Sequence, residues 1–299
     1  MKVAITGASG FIGGHLVAHL ESEGHEVLAL GRMAEGETLV PTVSQDLAAR
    51  HGQGSLRLQD HLEGVEGIAH LAARQQDNPA TPLAAYLPSN VLLTETLLRA
   101  ASEAGVGRFV LASSRMVYPS WIHEPIAEDC PDSPDSFYGL SKRIAEDLVT
   151  IYSTKTELSG VSLRIGQVFG AGDKGRGVLP GFIETVRRGE PPSVTGTGAA
   201  VRDFVDVRDV VSAIGLALGR PTSVPAINIG GGRGYSIREL AIAAATAGGM
   251  DESAIRYTPV EHEDRSHYSL DCTLAGTQLG WAPARSLLES VQDRLASDR

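Results

Sequence analysis

The pentapeptide YGLSK at 138–142 sets a phenol and an ammonium four residues apart. On a helix that spacing is about one turn, so Tyr138 and Lys142 share a face. A phenol titrates at about 10 and exchanges protons poorly near neutrality; a positive charge beside it favours the phenolate and lowers that pKa. So placed, Tyr138 can exchange a proton with a hydroxyl or a carbonyl. Upstream, SSRMVYP at 113–119 follows RFVLA, which reads as a buried strand. Each serine hydroxyl there must find a hydrogen-bond partner. Ser114 ends the strand, and the carboxyl edge of an open α/β sheet is where ligands bind. A hydroxyl at that edge can hold the substrate oxygen whose proton Tyr138 moves. Taken singly, each feature has a plainer reading: an amphipathic surface helix for Tyr-x-x-x-Lys, a backbone-satisfied strand end for Ser114.

A third feature supplies a partner for the proton. ITGASGFIGGHL, residues 5–16, spaces Gly7, Gly10 and Gly13 as G-x-x-G-x-x-G between a strand and a helix. Glycines there let the backbone turn tightly and approach a pyrophosphate, while free N–H groups near Phe11 and Ile12 meet the anion. A dinucleotide beside an acid–base tyrosine points to hydride transfer at a secondary alcohol or ketone, with a positive nicotinamide ring adding to the pull on the phenol.

The elements that must position these groups alternate. Strand-like runs are KVAIT (2–6), HEVLAL (25–30), GIAHLA (67–72), RFVLAS (108–113), VSLRI (161–165) and AINIG (226–230). A further strand is expected near 40–45. Helices are expected at 11–23, with Leu16, Val17 and Leu20 inward, and at 89–104, with Val91, Leu92, Leu98 and Ala101 inward. Another starts near Tyr138, with Leu140, Ile144, Leu148 and Ile151 along one stripe. SIRE at 236–239 is a capping box opening a helix that ends near Gly248. Such alternation predicts a parallel sheet covered on both faces. Glycines and Pro191-Pro192 between 166 and 198 mark departure into a second region. The expected division is a cofactor domain, 1–165 plus about 203–229, and a substrate region, about 166–202 plus 230–299.

Composition narrows the partners. Lys plus Arg is 26 and Asp plus Glu is 36, a formal charge of −10. That balance opposes a nucleic-acid or anionic-membrane surface but not one anionic small molecule. Two cysteines, Cys130 and Cys272, make neither a disulfide framework nor a zinc site by themselves. No apolar run approaches ~18 residues, and the amino terminus lacks a signal-peptide pattern. A soluble, cytoplasmic protein is expected. His262, Asp264 and His267 are read as solvated residues of an acidic loop, with no metal site.

With its three features in this order, the chain resembles the extended short-chain dehydrogenases over nearly its whole length. That family includes sugar-nucleotide epimerases, dehydratases and ketoreductases. HLAA (70–73), Asn90 in SNVLLTETLL, GTGAAVRDFVDVRDV (196–210) and LGWAP (279–283) extend the resemblance. It implies an α/β, Rossmann-type doubly wound parallel sheet with a smaller C-terminal substrate-binding region. It also implies Ser114, Tyr138 and Lys142 as the catalytic trio. Implied cofactor contacts are Gly7, Gly10, Phe11, Ile12, Gly13, Gly31, Arg32, Asp46, Leu47, Leu71, Ala72, Ala73, Ser113, Tyr138, Lys142, Ile165 and Val168. By resemblance Lys142 binds the nicotinamide ribose, Asp46-Leu47 lies against adenine, and Ala72 and Ala73 pass beneath the cofactor. Ile165 to Val168 border the nicotinamide. Implied substrate contacts are Ser114, Gln167, Arg176 and Arg202, with Arg202 on the diphosphate of a nucleotide-sugar. A homodimer through the 89–104 and 138–152 helices is implied as well.

The sequence departs from that pattern at three places. Where NAD-preferring relatives end the second strand with an acid, LALGR has Gly31 and then Arg32. Loss of the carboxylate and gain of a guanidinium favour NADP over NAD. Gln167 stands where nucleotide-sugar relatives often have asparagine, and Glu261 where they have arginine; Arg265 or Arg176 could substitute. Finally, 4,6-dehydratases follow the catalytic Ser or Thr with Asp-Glu, an acid–base pair that removes water beside the 4-ketone. Here Arg115 and Met116 follow, and neither can take or give that proton at working pH. Oxidation or reduction without loss of water is expected. A 4-ketoreductase with Tyr138 as acid/base stands ahead of a 4-epimerase retaining NAD. Behind them come a reductase of a non-nucleotide alcohol or ketone and a non-catalytic dinucleotide sensor.

Overall fold

Six of the apolar runs are strands of one sheet in the computed structural model, which describes residues 1–31, 58–75, 78–122, 125–173 and 177–297. They are β1 (Lys2–Thr6), β2 (Glu26–Leu30), β3 (Gly67–His70), β4 (Arg108–Ser114), β5 (Ser159–Ile165) and β6 (Ala226–Ile229). The order across the sheet is β2-β1-β3-β4-β5-β6, and every pairing is parallel. The expected strand at 40–45 lies outside the described residues. Helices cover both faces, so β3 and β6 are buried at every position, as continuous apolar strands of a parallel sheet should be.

On one face lie α1 (Phe11–Ser22), α6 (Val207–Gly219) and α8 (Thr273–Leu279). Leu16 and Leu20 pack there with Val210, Ile214 and Trp281 against Val3, Ile5 and Val161. On the other lie α2 (Leu58–His61), α3 (Leu93–Glu103) and α4 (Phe137–Lys155), which pack Leu62, Leu97, Leu98, Ala145 and Val149 on Ile68, Phe109 and Leu111. A third cluster joins α5 (Val178–Arg187), α7 (Ile237–Ala247) and α9 (Leu287–Ser297), through Phe182, Ile183, Leu240, Ala244 and Val291. The capping box at Ser236 is present, its hydroxyl accepting from Glu239 N while the Glu239 carboxylate accepts from Ser236 N. Gly248 closes that helix as expected.

Two expectations change. The 89–104 helix begins as a π-helical turn, Leu87–Leu92, before α3. The wider turn alters the phase, leaving Leu92 51% exposed and Val91 half-buried, while Leu97 joins Leu98 and Ala101 inside. In α4 the row of Leu140, Ile144, Leu148 and Ile151 does not line the innermost face: the first three are half-buried, Leu148 packing on the core, and Ile151 is 45% exposed. The inner face belongs to Gly139, Ser141, Lys142, Ala145, Glu146 and Val149.

Candidate active site

The register brings Thr6, His70, Ser113, Ser114 and Ile165 to one carboxyl edge of the sheet. The glycine loop follows β1 at that edge. Gly10 caps α1 with no side-chain hydrogen bond, leaving first-turn N–H groups and the positive end of a twelve-residue helix for an anion. Gly7 has φ of 73°, and a Cβ on it would lie 2.9 Å from the Ala72 nitrogen. The loop is thus seated against the Leu71–Ala73 segment by the absence of a side chain, a cradle that fits a dinucleotide. Thr6 locks this contact, its hydroxyl accepting from Leu71 N at 3.2 Å and Ala72 N at 3.1 Å. Gly31 follows β2 at the same edge, and among the described residues nothing lies within 4 Å of a Cβ built there. Phe11, Ile12 and Val168 are half-buried; Gly13 and Ile165 are buried.

The trio comes together where β4 meets α4. Ser136 caps α4, its hydroxyl accepting from Gly139 N at 3.0 Å. Burial pushes the Tyr138 phenol up to about 12, a rise opposed by the Ser114 hydroxyl within hydrogen-bonding reach and aided by Tyr86. The Tyr86 ring meets Tyr138 edge-on at 5.9 Å. Lys142 is buried and donates to the Ala112 carbonyl at 2.8 Å. Burial lowers its ammonium to about 8, against the pull of Glu146. This corrects one expectation. In the chain alone desolvation outweighs other influences on the phenol, and Lys142 is engaged with Ala112.

Several functional partners were not read from the sequence. Glu146 lies one turn beyond Lys142, accepts from Ser113 Oγ at 2.5 Å and pairs with Arg164 at 2.8 Å. Ser113, expected against the cofactor, thus turns its hydroxyl to the helix. Arg164 also donates to Tyr118 Oη at 2.9 Å, and Tyr118 donates to Asn228 at 2.9 Å. His70 is held between Thr6 at 2.6 Å and Thr94 at 3.0 Å, and burial lowers it to about 3, a neutral imidazole. Asn90 accepts from Arg74 N at 2.7 Å and donates to Arg74 O at 3.0 Å and to Ser141 Oγ at 2.9 Å. It ties the segment after Ala73 to α4. The 138–142–146 spacing was the available signal for Glu146, and HLAA (70–73) the one for His70, although it did not give the role of the imidazole; nothing local marks Arg164.

On the substrate side, Gln167 begins the strand Gln167–Phe169, paired with Phe204–Asp206. Arg202 is bound to Asp264 at 2.7 Å, so that carboxylate is an ion-pair partner rather than simply solvated. The aspartates of the 203–209 signature are architectural. Asp203 accepts from Gly231 N and Leu270 N, Asp206 caps α6, and Asp209 accepts from Ala284 N and Arg285 N. Arg32, Asp46, Leu47 and Arg176 lie outside the described residues.

The sequence profile described as "NAD dependent epimerase/dehydratase family" matches residues 3–230. The chain is 30% identical over 296 residues to a putative UDP-glucose 4-epimerase of Methanocaldococcus jannaschii, spanning 97% of this chain and 96% of that protein. It is 30% identical over 309 residues to dTDP-6-deoxy-L-talose 4-dehydrogenase (NAD(P)(+)) of Kitasatospora kifunensis, spanning 98% and 94%. Among solved structures, MoeE5 in complex with UDP-glucose and NAD gives a TM-score of 0.82 at 32% identity, over 100% of this chain and 98% of that one. The complex of MoeE5 with UDP-glucuronic acid and NAD gives the same TM-score of 0.82 and 32% identity, over 100% and 99%.

Proposed function

The chain belongs to the NAD-dependent epimerase/dehydratase family, and from that membership we propose that it is a nucleotide-sugar 4-epimerase using NAD. The supporting observation is the Ser114–Tyr138–Lys142 group beside the glycine cradle, followed by Arg115 and Met116 in place of an acid–base pair. Held by the glycine cradle and Lys142, a nicotinamide dinucleotide would supply reversible hydride chemistry at the sugar carbon. Ser114 holds the reacting oxygen and Tyr138 takes and restores its proton. Lys142, fixed on Ala112, binds the ribose. Arg202 and Gln167 face the nucleotide-sugar. No water is lost, since neither Arg115 nor Met116 can relay the proton an elimination requires.

A 4-ketoreductase using NADP is the second reading, favoured by the missing carboxylate at Gly31, the adjacent Arg32, and the relative named for NAD(P)(+). Residues 1–165 plus about 203–229 form the cofactor domain and the remainder the substrate region. The assembly is a homodimer through the 89–104 and 138–152 helices, supported by exposed Leu92, Phe137 and Ile151. No described helix is long and apolar enough to cross a membrane.

The test is incubation with NAD and UDP-hexoses, following product mass and stereochemistry, with mass spectrometry of whatever cofactor leaves the denatured protein. An epimer of unchanged mass and stoichiometric NAD are expected. An empty protein that oxidises NADPH with a 4-keto sugar establishes the reductase, and a product 18 mass units lighter, a dehydratase.

A further inference from the structure

Arg115 is the first residue of a single 3-10 turn, Arg115–Val117, directly after Ser114. The Met116 carbonyl of that turn presses on Gly139, where any Cβ would overlap it, so the turn is fixed against the residue after Tyr138. The Arg115 side chain does not run out to solvent. It is half-buried, with its guanidinium 4.4 Å from the centroid of the Tyr268 ring.

Arg202 shares that ring, at 5.1 Å. The two cations differ in how they are answered. Arg202 donates to Asp264 at 2.7 Å and to the carbonyls of Val201 and Ser266 at 2.7 and 3.1 Å. No hydrogen bond or ion pair joins Arg115 to any acceptor among the described residues. The carboxylates whose charge reaches it are engaged elsewhere, Asp203 with Gly231 N and Leu270 N and Asp135 with Ser120. A guanidinium has five donors in a planar fork. Half out of water and next to a second cation, it rests on the Tyr268 ring face but leaves its donors without an acceptor among the described residues.

We infer that Arg115 is a specificity residue that binds the carboxylate of an acidic sugar, making the substrate a nucleotide-linked hexuronic acid. The inference rests on the nucleotide-sugar reading above. Arg115 adjoins Ser114, which holds the C4 oxygen, so its ligand belongs to the sugar rather than to the diphosphate. On a hexose the anionic group nearest C4 is a carboxylate at C6, one bond beyond C5. A planar carboxylate matches the fork of an arginine held flat on an aromatic ring.

The experiment compares the NAD-loaded wild type with Arg115→Gln and Arg115→Lys on UDP-glucuronate and UDP-glucose, after melting curves establish folding. Wild type should prefer UDP-glucuronate. Arg115→Gln should lower kcat/KM for the uronate by ~10²-fold, mostly through KM, and change UDP-glucose by less than about 3-fold. Arg115→Lys, which keeps the charge but loses the fork, should fall between. In Tyr138→Phe holoenzyme, calorimetric affinity for UDP-glucuronate should show the same loss when Arg115→Gln is added. Equal losses on both sugars overturn the inference. So does turnover of UDP-glucose without UDP-glucuronate, which leaves the epimerase reading standing. A protein converting neither sugar sinks both.

Discussion

The helices α4 and α6 cover opposite faces of the same sheet and use those faces in opposite ways. α6 buries Val207, Val210, Val211, Ala213, Ile214, Ala217 and Leu218 against the strands. Its single buried acid, Asp209, is tied to backbone N–H groups and to Arg285. α4 buries Ser141, Lys142 and Glu146, and leaves Phe137 and Ile151 49% and 45% exposed. A helix that only covers a sheet gains stability from apolar area removed from water. α4, beside the candidate site, gives that up on its inner face, and each buried polar group must then be individually answered. Lys142 is answered by Ala112, and Glu146 by Ser113 and Arg164.

The contrast is broken most directly at Tyr138. Tyr138→Phe should cost about 10²–10⁴-fold in turnover with an unchanged melting temperature. An active Phe variant on the true substrate removes the catalytic reading of α4.

Stability should separate the helices next. Glu146→Leu leaves a buried Arg164 with its closest carboxylate gone, at a cost of about 3–5 kcal/mol. Ile214→Val in α6 should cost about 0.5–1.5 kcal/mol. Urea denaturation gives both, and a smaller loss at Glu146 means the ion pair is not what stabilises α4.

Lys142 sharpens the same point through pH. Its ammonium titrates at about 8 in the fold against an ordinary 10.5. Between those values the unfolded chain binds the extra proton, so stability rises with pH; below about 8 both states are charged and the burial penalty is complete. Relative to Lys142→Met, wild type should therefore gain on the order of 1–3 kcal/mol from pH 8 to 10.5. A flat difference indicates an ammonium hydrated in solution.

The smallest effect concerns the outer face. Ile151→Glu should shift sedimentation from dimer to monomer while altering the stability of the separated chain by only about 0.5 kcal/mol. If the dimer persists, α4 is not the interface.

The sequence by itself determined the six strands of the sheet and the helices opening near 11, 89, 138 and 236, because strand runs, helix caps and the glycine loop are local patterns with local causes; α2, α5, α6, α8 and α9 were not read from it. The capping box at Ser236 and the strands from KVAIT to AINIG needed no knowledge of neighbours. It also brought Ser114, Tyr138 and Lys142 into one candidate site, since a helical turn and a strand end fix those positions within a few residues. Tertiary structure alone decided what surrounds them. Arg164 reaches Glu146 of α4 from the strand β5, His70 sits between threonines 64 and 24 residues away, and Arg115 meets Tyr268 far along the chain. No periodicity encodes such meetings, because they depend on which faces the folded sheet and its connections bring together. The displacement of the α4 row from the innermost face is of the same kind. An apolar row shows that a helix has two faces, but only the groups packed against it decide which face is buried.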